Sequence, residues 1–190
     1  MNVIKNKKTT VSIALTGLMG ALVLVGTYMN IPIPVLGDRT MLSLGNVFCI
    51  LSGLVLGPLY GGLAAGVGSF IFDITGGWAA SAPFTLVFKF IMAFVCGTIA
   101  RGGEQTKKKL SRLIIAAVSG SLSYSILYLT KSYIEAVLLG NSAQAIQMLL
   151  ITKGCASLTN AIIADCVSIP LFLAISKALS DYKITGRLRQ

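Results

Sequence analysis

Six apolar runs separated by charge, proline or glycine constrain this sequence more than any motif in it. They cover about 11–30, 41–57, 59–73, 83–100, 113–139 and 145–179. A helix needs about 20 apolar residues to cross a bilayer, and fewer where other protein surrounds it. Only 12% of the 190 residues are charged, whereas a soluble domain carries roughly 25% to cover its surface. The sequence therefore predicts an all-α membrane protein, one domain over residues 1–190 built as a bundle of six transmembrane helices.

The breaks between runs carry their own chemistry. Pro32 and Pro34 lock the backbone and remove two donors, so 31–39 is expected to be a loop. Gly57-Pro58 ends the second run, and Trp78 sits in a third break, where interfacial aromatics gather. Pro170 predicts a kink or a split in the long last element. The first run follows Lys5, Lys7 and Lys8 as a signal peptide would, but no Ala-x-Ala-like site follows it and it is expected to stay. Gly53, Gly57 and Gly61, and Gly62 with Gly66, repeat at four-residue spacing, which lets helices approach backbone to backbone where lipid supplies no hydrophobic drive.

Several chemistries are excluded. The chain has no histidine, so Ser-His-Asp or Cys-His catalysis and imidazole zinc sites are out of reach. No G-x-x-x-x-G-K-[ST] loop occurs, so the chain cannot burn ATP by that route. Cys49, Cys96, Cys155 and Cys166 lie singly in apolar runs without a C-x-x-C pair and are expected to be small buried hydrophobes. No metal and no cofactor is expected.

Charge sets the orientation. With six crossings, the two termini, the 57–59 turn and the stretch 101–112 share one side, which gathers twelve basic residues (Lys5, Lys7, Lys8, Arg101, Lys107, Lys108, Lys109, Arg112, Lys177, Lys183, Arg187, Arg189) against Glu104 and Asp181. That side is expected to be cytoplasmic. It holds the whole net charge of +10, since Arg39, Lys89, Lys131 and Lys153 elsewhere balance Asp38, Asp73, Glu135 and Asp165. Anionic lipid headgroups are a sufficient partner for it, and nucleic acid is not expected.

The balanced charges are more informative. An ionisable residue inside an apolar segment is expensive and is a functional hypothesis by default. Lys89, Lys131, Glu135, Lys153 and Asp73 all fall in the outer half of the membrane or at its outer edge in that orientation. Tyr124, Tyr128, Lys131 and Glu135 share one face of the fifth segment, Lys153, Ser157 and Asn160 one face of the sixth, and Thr85, Lys89 and Met92 one face of the fourth. Three stripes converging toward one side make a pocket for a small polar molecule. The competing reading is that Lys131 and Glu135 merely pair at i,i+4 while the lysines snorkel to outer headgroups. Asp165 stands off these stripes and has two candidate partners, a neighbouring helix or Asn46.

Several passages together resemble a known family: the small residues Ala14, Gly17, Gly20 and Ala21, the stretch Leu44-Gly-Asn-Val-Phe, Gly53-Leu-Val-Leu-Gly-Pro-Leu-Tyr-Gly-Gly running on to Gly-Ser-Phe-Ile-Phe-Asp73, Ala82-Pro-Phe-Thr-Leu-Val-Phe-Lys89, and Asn160-Ala-Ile-Ile-Ala with Pro170-Leu. Over nearly the whole chain these resemble the substrate-binding S components of energy-coupling factor (ECF) transporters. The resemblance implies a six-helix, multi-pass protein of the prokaryotic plasma membrane, not an enzyme. Such a subunit binds a vitamin with high affinity from outside and borrows its ATP hydrolysis from a transmembrane T component with two ABC-type ATPases. It implies that Ala14, Gly17 and Ala21 dock on the T component, with Gly in place of the family's first Ala, and that 31–40 gates the pocket. The intramembrane charges, the polar stripes and the aromatics make Asp73, Trp78, Lys89, Tyr128, Lys131, Glu135, Lys153 and Asn160 the candidate substrate-binding residues. The Gly-Pro-x-x-Gly and Gly-Ser-x-x-x-Asp pattern looks most like the pyridoxine, hydroxymethylpyrimidine and pantothenate branch. The excess of lysine suits pantothenate, while Tyr128 and Trp78 suit a stacked pyridine or pyrimidine.

Two alternatives belong to other classes. A small membrane-embedded enzyme would need a paired acid and base or an Asp-rich metal motif, and neither is present in the sequence. A homo-oligomeric, channel-like protein would pack through the Gly53, Gly57 and Gly61 face.

Overall fold

The structure, a computed structural model, describes the backbone of residues 2–35, 38–102 and 110–188, and the side chains of 10–35, 40–102 and 110–178. The stretch 103–109, with Glu104 and Lys107 to Lys109, lies outside the described residues, as do Arg189 and the side chains of Lys5, Lys7, Lys8, Asp38, Arg39, Asp181, Lys183 and Arg187.

Helices dominate: α1 (Asn2–Tyr28), α2 (Gly45–Leu56), α3 (Pro58–Thr75), α4 (Ala82–Arg101), α5 (Leu110–Leu138) and α6 (Ala143–Leu188). Among the described residues, Thr10–Tyr28, Ala79–Arg101, Leu110–Leu138 and Ala143–Ala178 are long and apolar enough to cross a membrane. Their outward faces are apolar; Ile13, Ile126 and Ile162 are 61 to 64% exposed. An exterior of this kind is matched by lipid rather than water.

The 12 residues of α2 rise only about 18 Å, well short of a hydrocarbon core of about 30 Å. Length is not what stabilises it, because α2 touches α1, α3, α4, α5 and α6 and is buried on nearly every side. Glycines make that central position possible. A Cβ on Gly53 would stand 2.5 Å from the Ala93 carbonyl oxygen of α4, and one on Gly97 would stand 2.6 Å from the Gly57 carbonyl carbon. Gly61 closes α3 onto Ser52 and Gly53, and Gly20 of α1 closes onto Ala64 and Gly68 of α3. Gly53, Gly57 and Gly61 are therefore consumed inside the bundle, which removes the face that a Gly-packed homo-oligomer would need.

The expected loop at 31–39 is instead a hairpin of β1 (Asn30–Val35) and β2 (Asp38–Ser43), and α2 begins at Gly45 rather than 41 because Met41 to Ser43 belong to β2. Among the described residues the chain is thus all-α apart from one two-stranded element. The prolines set its register rather than prevent it. Pro32 lies opposite Met41 and Pro34 opposite Arg39. Having no N–H, both must occupy non-hydrogen-bonded sites of the antiparallel ladder, so Ile31, Ile33 and Val35 carry the bonding to β2.

At the other expected break, α6 runs through Pro170 without a split. Membrane helices tolerate proline where neighbouring helices support the freed backbone, and Ser168, Ile169 and Phe172 around it are buried. The cysteines divide: Cys49 and Cys96 are buried as expected, whereas Cys155 and Cys166 lie exposed on the outer face of α6. Side-chain hydrogen bonds join α5 to α6, among them Lys153 to Ser132 at 3.1 Å, Ser125 with Ser157 at 2.8 Å, and Ser121 donating to Asp165 at 2.8 Å. Bonds of this kind contribute roughly 0.6 kcal/mol each within a membrane. Asp165 thus has the neighbouring helix, not Asn46, as its partner.

Candidate binding cavity

The hairpin, the loop that follows α3, the late turns of α5 and the early turns of α6 meet around one cavity. That cavity is open at its mouth. Four helices contribute side chains at helical spacing: Ser69 and Asp73 from α3, Thr85, Phe88 and Lys89 from α4, Tyr124, Tyr128 and Lys131 from α5, and Lys153, Ser157 and Asn160 from α6. Thr27, Thr40, Met41, Ser43, Asn46, Trp78, Ser81 and Phe84 complete the lining.

Lys89 lies deep, 8% exposed, and donates to Asn46 Oδ1 of α2. Its ammonium also sits 3.9 Å from the centroid of the Tyr124 ring. Tyr124 and Tyr128 stack almost in parallel, with centroids 5.8 Å apart and an interplanar angle of 8°. The spacing is that of consecutive helical turns, which places i and i+4 side chains one above the other. Lys153 is 3% exposed, donates to Ser132 and lies 5.4 Å from the Tyr128 ring. An aromatic wall is therefore flanked by two buried ammonium groups, both hydrogen-bonded rather than snorkelling to the surface. Asp73 is 4% exposed and supplies a buried carboxylate to the same cavity.

Nearer the mouth, Lys131 pairs with Glu135 at 2.6 Å and donates to Ser81 at 3.2 Å, tying α5 to the short 3-10 turn Ala79–Ser81. Glu135 itself does not line the cavity; its side chain is 44% exposed, and the i,i+4 pairing considered above describes it. Asn160 lines the cavity, but Nδ2 donates to the Met41 carbonyl at 2.7 Å and Oδ1 accepts from the Ser43 amide at 2.9 Å. Tyr128 likewise donates to Thr40 Oγ1 at 3.1 Å. Met92 lies in the buried core rather than in the cavity. Asp73, Trp78, Lys89, Tyr128, Lys131, Lys153 and Asn160 are thus brought together, and Glu135 is not.

Sequence reasoning put 31–40 over the pocket only as a gating loop and did not place Met41, Ser43, Ser69 or the Phe84 and Phe88 pair in the site. For the last three a signal was present, since Ser69 precedes Asp73 by four residues and Phe84 precedes Phe88 by four. Outside the cavity lining, Ala14, Gly17 and Ala21 are exposed, and a Cβ on Gly17 would meet nothing within 4 Å. Gly20 differs, being taken up by α3.

A family model described as the ECF-type riboflavin transporter, S component, matches residues 7–177. A protein of Pyrococcus woesei described as an uncharacterized protein in the gap 3'region is 30% identical over 108 residues, covering 57% of this chain and 70% of that one.

Proposed function

Because the chain belongs to the family of ECF-type riboflavin transporter S components, a family of vitamin-uptake subunits rather than of enzymes, we propose that it captures a flavin of the riboflavin type in the cavity described above. The observation that carries this reading is the stacked Tyr124 and Tyr128 wall with a buried ammonium at each ring. A flat conjugated ring rich in carbonyl and nitrogen acceptors matches both parts, lying against the phenols and accepting from Lys89 and Lys153. Asp73, which only accepts when ionised, suits hydroxyl groups on the ligand's side arm. Ringless pantothenate leaves the aromatic wall unmatched, and a single pyridine or pyrimidine ring covers less of it.

In this reading the cavity faces outward and both termini and the basic stretch face the cytoplasm, in keeping with the positive-inside rule. Members of the family work with a T component and ATPase subunits, which would supply the energy for import. The test is a titration of the purified protein with riboflavin, read as flavin fluorescence, with pyridoxine, hydroxymethylpyrimidine and pantothenate as competitors. Close contact with tyrosine quenches flavin emission by electron transfer, so the expected result is saturable quenching with a Kd below about 1 μM. Absence of quenching, or displacement by pantothenate alone, overturns the flavin assignment.

The exposed Ala14, Gly17 and Ala21 face fits docking of a partner helix, since small residues permit close approach in lipid. Gly17→Leu adds a side chain where nothing within 4 Å opposes it. It is expected to leave flavin binding unchanged and to abolish uptake in cells that carry the partner subunits; normal uptake would show that this face does not dock.

A further inference from the structure

The two prolines of β1 decide where the free edge of the hairpin points. Because Pro32 and Pro34 force Ile31, Ile33 and Val35 to pair with Leu42, Thr40 and Asp38, the intervening residues Met41 and Ser43 turn their backbone groups away from β1. That outer edge of β2 would otherwise be an unpaired, half-buried edge, costly to leave unsatisfied. Asn160 of α6 meets it with a geometry that is more than a contact. Its carboxamide donates to the carbonyl of Met41 and accepts from the amide of Ser43, two residues further on. This is the pattern with which one residue of a parallel strand pairs with its neighbour. One side chain on a helix therefore serves as the third strand of the sheet.

The consequence concerns movement. Thr40, Met41 and Ser43 form part of the cavity wall, so a ligand enters or leaves by displacing this edge or by passing beside it. Asn160 holds it from α6 and Tyr128 holds it from α5. We propose that Asn160 is a positioning residue that latches β2 to α6 and sets how fast the cavity exchanges its ligand, rather than a group whose main role is to bind that ligand. This inference rests on the flavin reading for its kinetic test and on the hydrogen bonds alone for its structural one.

Leucine has nearly the shape of asparagine and can make neither bond, so Asn160→Leu isolates the latch. The expected result by stopped-flow flavin fluorescence is a rise in both association and dissociation rates of about tenfold, with Kd changed by less than about threefold. If Asn160 instead acts mainly as a ligand contact, dissociation and Kd rise together while association stays the same, and the proposal fails. Unchanged rates also overturn it. Hydrogen exchange supplies the readout that needs no ligand: the Ser43 amide is expected to exchange at least about tenfold faster in the variant, and equal protection refutes the latch. Should the leucine variant not fold, Asn160→Asp keeps an acceptor for Ser43 and loses the donor to Met41, and it is expected to show the same rate pattern at smaller amplitude. Failure of the wild-type protein to bind any flavin would reject the proposed function, and the Ser43 exchange result would still decide the latch.

Discussion

Lys89→Met is expected to weaken flavin binding by about 10- to 100-fold while leaving the melting temperature in detergent unchanged or raised. Methionine keeps the length and flexibility of the lysine stem and fills the same space, so the substitution removes the ammonium and little else. The affinity loss follows from deleting a charged donor, whose hydrogen bond contributes roughly 1.5–3 kcal/mol in a buried setting; each 1.4 kcal/mol is tenfold in Kd. Stability moves the other way. A buried ammonium held by Asn46 and the Tyr124 ring, with the Asp73 carboxylate in the same cavity, has lost most of its water, and desolvation of that kind is only partly offset by these groups. Opposite signs for affinity and stability are what a residue kept for its ligand produces. Unchanged affinity together with a lower melting temperature would make Lys89 a structural link between α4 and α2 and would leave the flavin without its deepest donor.

The place of Lys89 in the cavity was legible because helical spacing alone put Thr85 and Lys89 on one face of α4, Tyr124, Tyr128 and Lys131 on one face of α5, and Lys153, Ser157 and Asn160 on one face of α6. Period and burial cost are local properties, and they survive into the fold. What was not legible depended on which groups meet across helices. Asn46 lies 43 positions from Lys89 in sequence, and nothing on α2 distinguishes it as that ammonium's acceptor. Glu135 continues the α5 stripe yet turns outward, because eleven residues carry it beyond the cavity mouth. The hairpin was hidden for a different reason. Two prolines in a short run ordinarily stop a strand, and only their separation by one residue, which puts both missing donors on the same edge, makes a strand possible here.

Gly53→Ala is expected to destabilise the protein strongly, and Gly53→Leu to prevent it from folding at all. At this position three backbones converge. The new methyl would stand 2.5 Å from the Ala93 carbonyl oxygen and 3.3 Å from the Ala93 Cα of α4. On α3, the site of a Cβ on Gly61 is already 2.7 Å from the Gly53 Cα, so α2 has no room to retreat. A side chain can change rotamer under such pressure, but a helical backbone on each side cannot. Overpacking of this kind costs roughly 1–3 kcal/mol or more, which exceeds the 0.5–1 kcal/mol that replacing a helical glycine by alanine returns. Gly17→Ala is the matched control. It gains the same helix propensity against open space, so its melting temperature in detergent should not fall. Equal melting temperatures for the two alanine variants would contradict the close approach of α2 and α4. The displacement also reaches the cavity, because Lys89 lies one helical turn before Ala93 and reaches Asn46 on α2. Whatever fraction of Gly53→Ala folds should therefore bind flavin more weakly than the wild type, as Lys89→Met does, although the substituted residue lines no part of the site.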